Sequence, residues 1–276
     1  MANRKCWATS LGNCAGKISR EHVASEGVLE AANRMNPRLK LVRIGMDGNA
    51  LPLSIPSAVG NNLCEFHNGV LSPLDTEAQK LMQFVADAVE PTTMWSRVES
   101  IASRRERMLV NSFDGALLER WGLKTLLNHF CARGDSGPRA GLVRPSGVHI
   151  LQAVFAGKLL SPGFGLYEFV DPHERVYSSA TFSIDTIEIC AEGKDILVRF
   201  AGYLIANFGP LQLAVSVNVT DLPQEDWDSL MQGFWASQAA GRPRAVFHPT
   251  NLILAARPKN EADRDVPFAC ARLHWN

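Results

Sequence analysis

The spacing of apolar residues changes twice along this chain. Between residues 39 and 56, "LKLVRIGMDGNALPLSIP" sets short apolar runs on either side of Asp47-Gly48. An Asp-Gly pair supplies the positive φ that a tight turn needs, so a hairpin is expected here. Further on the spacing turns helical. Leu81, Phe84, Val85, Ala88 and Val89 recur at intervals of three and four, and Pro91 stops the run. Pro73 or Asp75 is the expected helix start. Residues 92–131 also read as helical. "SRVESIASRRERMLV" is followed by "FDGALLERWGLKTLLNHFC", where Leu117, Leu118, Trp121, Leu126, Leu127 and Phe130 fall near one face and Asp114 is a candidate cap.

"ARGDSGPRAGLVRPSG", residues 132–147, is rich in Gly and Pro and reads as a linker or long loop. Beyond residue 150 the pattern becomes that of strands. "GLYEFV", "VYSSATFSIDTIEI", "ILVRFAGYLIANF", "LQLAVSVNV" and "NLILAA" alternate or run apolar, with β-branched and aromatic residues. A short helix is expected near "QEDWDSLMQGFWASQ". The expected class is α+β: a compact N-terminal module over 1–80, a helical connector over 81–135 and a β-rich C-terminal domain over 136–276.

Composition narrows the picture only a little. Hydrophobic residues make up 46% and charged residues 20%, which places the chain among globular proteins. Basic and acidic residues balance at 28 each, so no global pull toward nucleic acid or an anionic membrane is implied. The longest uncharged stretch, residues 200–220, is broken by Gly209-Pro210 and punctuated by polar residues. It reads as two strands around a turn, not as a membrane span. The opening residues hold no apolar run of the kind a signal peptide needs. A soluble, cytoplasmic protein is expected.

The candidate chemistry sits in the first 80 residues. Cys64 and His67 are spaced Cys-x2-His, a grip for one ion at a turn. Cys6 and Cys14 offer a second pair, with Gly12 permitting a folded loop between them. Together they would form a Cys3His set suited to structural zinc. The competing reading is unlinked thiols, which is how Cys131, Cys190 and Cys270 read in their apolar settings. The remaining histidines are scattered and imply no second site.

The order of residues "C6…C14…E21-H22…C64-x2-H67-N68" resembles the HNH endonuclease family, or ββα-metal nucleases, in its zinc-stapled form. The resemblance covers roughly residues 1–80. It implies a treble-clef ββα module with structural zinc on Cys6, Cys14, Cys64 and His67. It implies His22 as general base, and Glu21 and Asn68 as oxygen ligands to catalytic Mg²⁺ or Mn²⁺. Asn62 or Asn61 would orient the His22 ring. Lys17, Arg20 and the arginines of residues 97–107, Arg104 and Arg105 among them, would contact phosphates.

The pattern departs from the family at three points. His67 stands where a second cysteine is usual, the stretch between His22 and Asn68 is long, and "NGVLSPLD" lacks the usual lysine. Taken one by one, the residues also have plainer readings. His22 could be a hydrogen-bonded structural residue, Asp75 a helix cap, and "SRRER" a solvated helix face. The expected activity is therefore metal-dependent hydrolysis of phosphodiesters, with DNA as the expected substrate. The alternative is a catalytically silent zinc-stabilised module that binds nucleic acid or protein beside a C-terminal sensing domain. No membrane partner is expected, and a homodimer stays open.

Overall fold

The computed structural model describes residues 5–35, 41–44, 50–89, 108–132, 148–158, 165–169, 181–187, 201–208, 211–218, 245–247, 251–255 and 268–274. The helix expected near "QEDWDSLMQGFWASQ", the arginines of 97–107 and most of the linker over 132–147 lie outside them.

Strand β1 is short, Glu21–His22, and pairs antiparallel with β4, Val59–Gly60, in the register Glu21↔Gly60 and His22↔Val59. Helix α1, Glu26–Met35, and the pair β2, Leu41–Ile44, and β3, Ala50–Leu53, lie between them in sequence. β2 and β3 run antiparallel with Ile44 opposite Ala50, as the Asp47-Gly48 signal implied. Helix α2 follows, Glu65–Val89.

α2 starts well before the expected point, and Pro73 lies inside it. Proline cannot donate to the carbonyl four residues back, and its ring crowds that carbonyl. Here the acceptor is Gly69, which has no side chain to add to the crowding. The Ser72 hydroxyl donates to the Gly69 oxygen at 3.0 Å, replacing the missing bond. Asp75 is accordingly not a cap but a residue of the helix interior. The first turn of α2 is held from outside: Glu65 N–H bonds the Lys17 carbonyl and Phe66 N–H that of Ala15. Those contacts satisfy donors that a helix start leaves open.

Met108, Leu109 and Val110, expected to be helical, begin strand β5, Met108–Asp114. β5 lies parallel to β12, Phe268–His274, and β12 also pairs with β11, Asn251–Ala255. Pairing with a strand at the far end of the chain overrides the local helical pattern. The expected cap holds: Leu117 N–H donates to the Asp114 carboxylate at 3.0 Å as helix α3, Gly115–Ala132, begins. Helix α4 is Val148–Ala156.

The later strands are β6 (Gly165–Phe169), β7 (Thr181–Ile187), β8 (Ala201–Phe208), β9 (Leu211–Asn218) and β10 (Ala245–Phe247). They form one antiparallel sheet in the order β10-β6-β9-β8-β7. The chain is thus mixed helix and strand. α2 and α3 pack a common core of Leu71, Leu74, Leu81, Val85, Leu118, Leu126 and Leu127, all nearly or fully buried. Among the described residues no helix is long and apolar enough to cross a membrane.

Candidate metal centre

A 3₁₀ turn over Thr9–Leu11 folds the chain back after Cys6. Gly12 and Asn13 then take positive φ values of 77° and 53°, which tighten the return. Glycine adopts that conformation freely and asparagine tolerates it. Cys14 comes back beside Cys6 as a result. The chain next runs antiparallel to the start of α2 through the Ile18–Cys64 bridge. A side chain at Gly16 would run into Glu65, so the loop can lie this close only with glycine there.

These turns gather Cys6, Cys14, Cys64 and His67. Their ligand atoms all lie within 4.8 Å of one another, close enough to hold a metal ion. The His67 Nδ1 is 3.4 Å from the Cys6 sulfur, 3.3 Å from that of Cys64 and 3.7 Å from that of Cys14. Tetrahedral zinc, with Zn–S of about 2.3 Å and Zn–N of about 2.0 Å, puts nitrogen and sulfur ligands about 3.5 Å apart. The donor set and the spacing both fit zinc.

Cys6, Cys64 and His67 are buried and Cys14 is half-buried. Burial pushes the Cys6 thiol up to about 12. At Cys64 burial acts the same way, but hydrogen bonds from the His67 and Ala15 backbone and from the neighbouring thiols outweigh it, and its pKa is lowered. Burial also lowers the pKa of His67, favouring the neutral ring that ligates metal. The ring sits edge-on to Phe66 at 5.3 Å and to Phe155 of α4 at 5.2 Å. The Cys14 sulfur lies 3.3 Å from the Thr9 hydroxyl.

Glu21 and His22 line a separate open cleft of about 360 Å³, with Ser25, Glu26, Gly27 and Glu30 from the α1 side and Asp75 and Gln79 from α2. His22 is therefore not in an apolar core. Its Nε2 is buried and has no hydrogen-bond partner among the described residues, where a Glu26 carboxylate oxygen lies 3.9 Å away.

Glu21 is buried and paired. The Lys124 ammonium of α3 lies 2.5 Å from the Glu21 carboxylate and 2.5 Å from that of Asp75. Ser25 donates to the other Asp75 oxygen at 2.5 Å and accepts the Trp121 indole N–H at 2.7 Å. Asn68 sits two helical turns before Asp75, about 10 Å along the axis, and does not line the cleft. The residues do not fit the Mg²⁺ or Mn²⁺ that the resemblance implies on Glu21 and Asn68: one is held by an ammonium and the other is elsewhere on α2.

Asn62 is buried with its amide turned to α3. Its Nδ2 donates to the Asn128 carbonyl at 2.8 Å, and its Oδ1 has no partner among the described residues. Asn128 is the hub of this region. Its Oδ1 accepts the Trp7 indole N–H at 3.0 Å, and its Nδ2 donates to the His22 carbonyl at 3.3 Å. Lys17 and Arg20 are exposed on the loop that the cysteines tie down; Arg104 and Arg105 lie outside the described residues.

Sequence reasoning missed Lys124, Ser25 and Trp121, and took Asp75 for a cap. One signal was available: Trp121, Lys124 and Asn128 follow one another at helical spacing along an otherwise apolar face of α3. No family model, curated protein or solved structure matches the chain.

Proposed function

We propose that residues 5–89 are a zinc-stapled treble-clef module of the HNH, or ββα-metal, shape, and that it binds nucleic acid without cutting it. The order β1, β4, α2, with His67 in the first turn of α2, supports the shape. One observation carries the function: the loop that the cysteines tie down is more basic than the neighbouring cleft. Residues 5–20 hold Lys5, Lys17 and Arg20 and no Asp or Glu, Lys17 and Arg20 are exposed, and Glu65 of α2 lies against the loop and accepts the Lys17 backbone N–H. The cleft beside them is walled by Glu21, Glu26, Glu30 and Asp75. A phosphodiester is drawn to the first surface and repelled by the second. The β-rich stretch then serves as a sensing domain, and DNA is the expected partner.

A second reading, a metal-dependent endonuclease with His22 as general base, is favoured by one observation. His22 ends β1 on an open polar cleft, and its buried Nε2 has no hydrogen-bond partner among the described residues. That reading needs a divalent ion, which Glu21 does not offer while paired with Lys124.

Incubating plasmid and labelled oligonucleotides with the zinc-loaded chain and Mg²⁺ or Mn²⁺ separates the two. A mobility shift without cleavage, weakened by Lys17→Ala and Arg20→Ala, supports binding. Cleavage that disappears in His22→Ala replaces it with the endonuclease. Neither shift nor cleavage ends both readings and leaves a protein partner for the zinc-held loop.

A further inference from the structure

We infer that Lys124 is the resident cation of the Glu21–His22 cleft: it stands between Glu21 and Asp75 where a divalent ion would be held, and excludes Mg²⁺ and Mn²⁺ from it. The inference rests on the proposed module shape only for the choice of metal ion.

A divalent ion of this kind needs oxygen ligands at about 2.0–2.1 Å in near-octahedral array. The two carboxylates with the burial and convergence to supply them face the same ammonium instead, each at 2.5 Å. Lys124 is 1% exposed, so its charge is enclosed rather than swinging in solvent. It is held on α3 in a stretch where Leu123 and Leu126 are fully buried as well.

The carboxylate it meets on α2 is itself locked. Asp75 spends one oxygen on Lys124 and the other on Ser25, and Trp121 of α3 fixes the Ser25 hydroxyl. A metal ion entering here would have to displace the ammonium into apolar surroundings or sit beside it. The first leaves a buried charge without a partner, and the second sets like charges together in a poorly screened place. The other acids of the cleft, Glu26 and Glu30, are exposed and on one face of α1. Alone they offer only solvated surface carboxylates.

The measurement is Mn²⁺ binding by electron paramagnetic resonance on the zinc-loaded full chain without nucleic acid. Zinc content and circular dichroism report whether each variant keeps its fold. Wild type is expected to show no Mn²⁺ site that depends on Glu21. Lys124→Met, and Lys124→Gln where the first variant does not keep its zinc, is expected to gain one Mn²⁺ per chain at least about ten-fold tighter than any wild-type binding, a shift of about 1.4 kcal/mol. Adding Glu21→Gln should remove the gained site.

A wild-type Mn²⁺ site that Glu21→Gln abolishes overturns the proposal, whatever the lysine variants do. A folded, zinc-loaded Lys124 variant that gains no site overturns it as well. The binding-only reading is tested by mobility shift and cleavage on nucleic acid, so either idea can fail while the other stands.

Discussion

One helix, α2, contributes to two polar centres of opposite design. At its start Cys64, just before the helix, and His67 in its first turn join Cys6 and Cys14 in a set that concentrates thiols and offers no protein cation among its ligands. Farther along, Asp75 joins Glu21 around a lysine supplied by α3. The first centre is arranged so that an ion from outside the chain could complete it, and the second already holds its cation from within. Burial gives the difference its weight. Burial, and to a lesser degree the neighbouring thiols, holds Cys6 in its neutral form, as its raised pKa records. The buried Glu21 and half-buried Asp75 of the second centre already have their countercharge.

The comparison breaks most sharply at the zinc. Cys64→Ala should abolish zinc binding, and a strong chelator should do the same to wild type. Structural zinc is worth about 10 kcal/mol or more in small modules, so the helical signal of the N-terminal part should fall on metal removal. Zinc content unchanged in Cys64→Ala would take Cys64 out of the ligand set.

Next in size is the internal cation. Lys124→Ala leaves Glu21 and Asp75 partly buried without their partner, which costs about 3 kcal/mol. Denaturant unfolding measures it, and a loss below about 1 kcal/mol would make the pair equivalent to a surface contact.

Acid should act on the first centre through His67. Its pKa is lowered in the fold, so its contribution is fully present above the unfolded value of about 6.5 and is lost as pH falls through the folded value. Proton uptake by the ring and the thiolates acts in the same direction, so a zinc indicator should report release on acidification below neutral pH. Retention of zinc at pH 4 would remove His67 from the ligands.

The smallest effect belongs to Arg34 and Asp87. Their ion pair is as short as 2.7 Å, but both side chains are 44% exposed. Arg34→Ala should cost less than about 0.5 kcal/mol. A larger loss would mean that burial is the wrong axis on which to rank the pairs.

The two centres were unequally legible. The Cys-x2-His spacing of Cys64 and His67 announces a ligand pair by itself, and Cys6 and Cys14 follow once Gly12 is seen as a turn. Lys124 carried no such mark. Its partners lie far upstream, and a lysine on an apolar helix usually reaches for solvent along its own stem. The start of α2 was hidden for a related reason: Pro73 signals a boundary unless its neighbour repairs the break, and Ser72 looks like any surface serine. β5 could not be told from a helix because its partner β12 is at the other end of the chain. Local patterns were legible where both partners were near in sequence, and not where a distant residue decided.

Asn128 ties these two centres together. One side chain accepts from Trp7 beside Cys6 and donates to the His22 carbonyl, while its own backbone carbonyl takes the Asn62 amide. A change at this position is felt at the zinc corner and at the cleft together. Replacing this side chain removes the bonds to Trp7 and to the His22 carbonyl together, while the Asn62 bond, made to the backbone of residue 128, can persist.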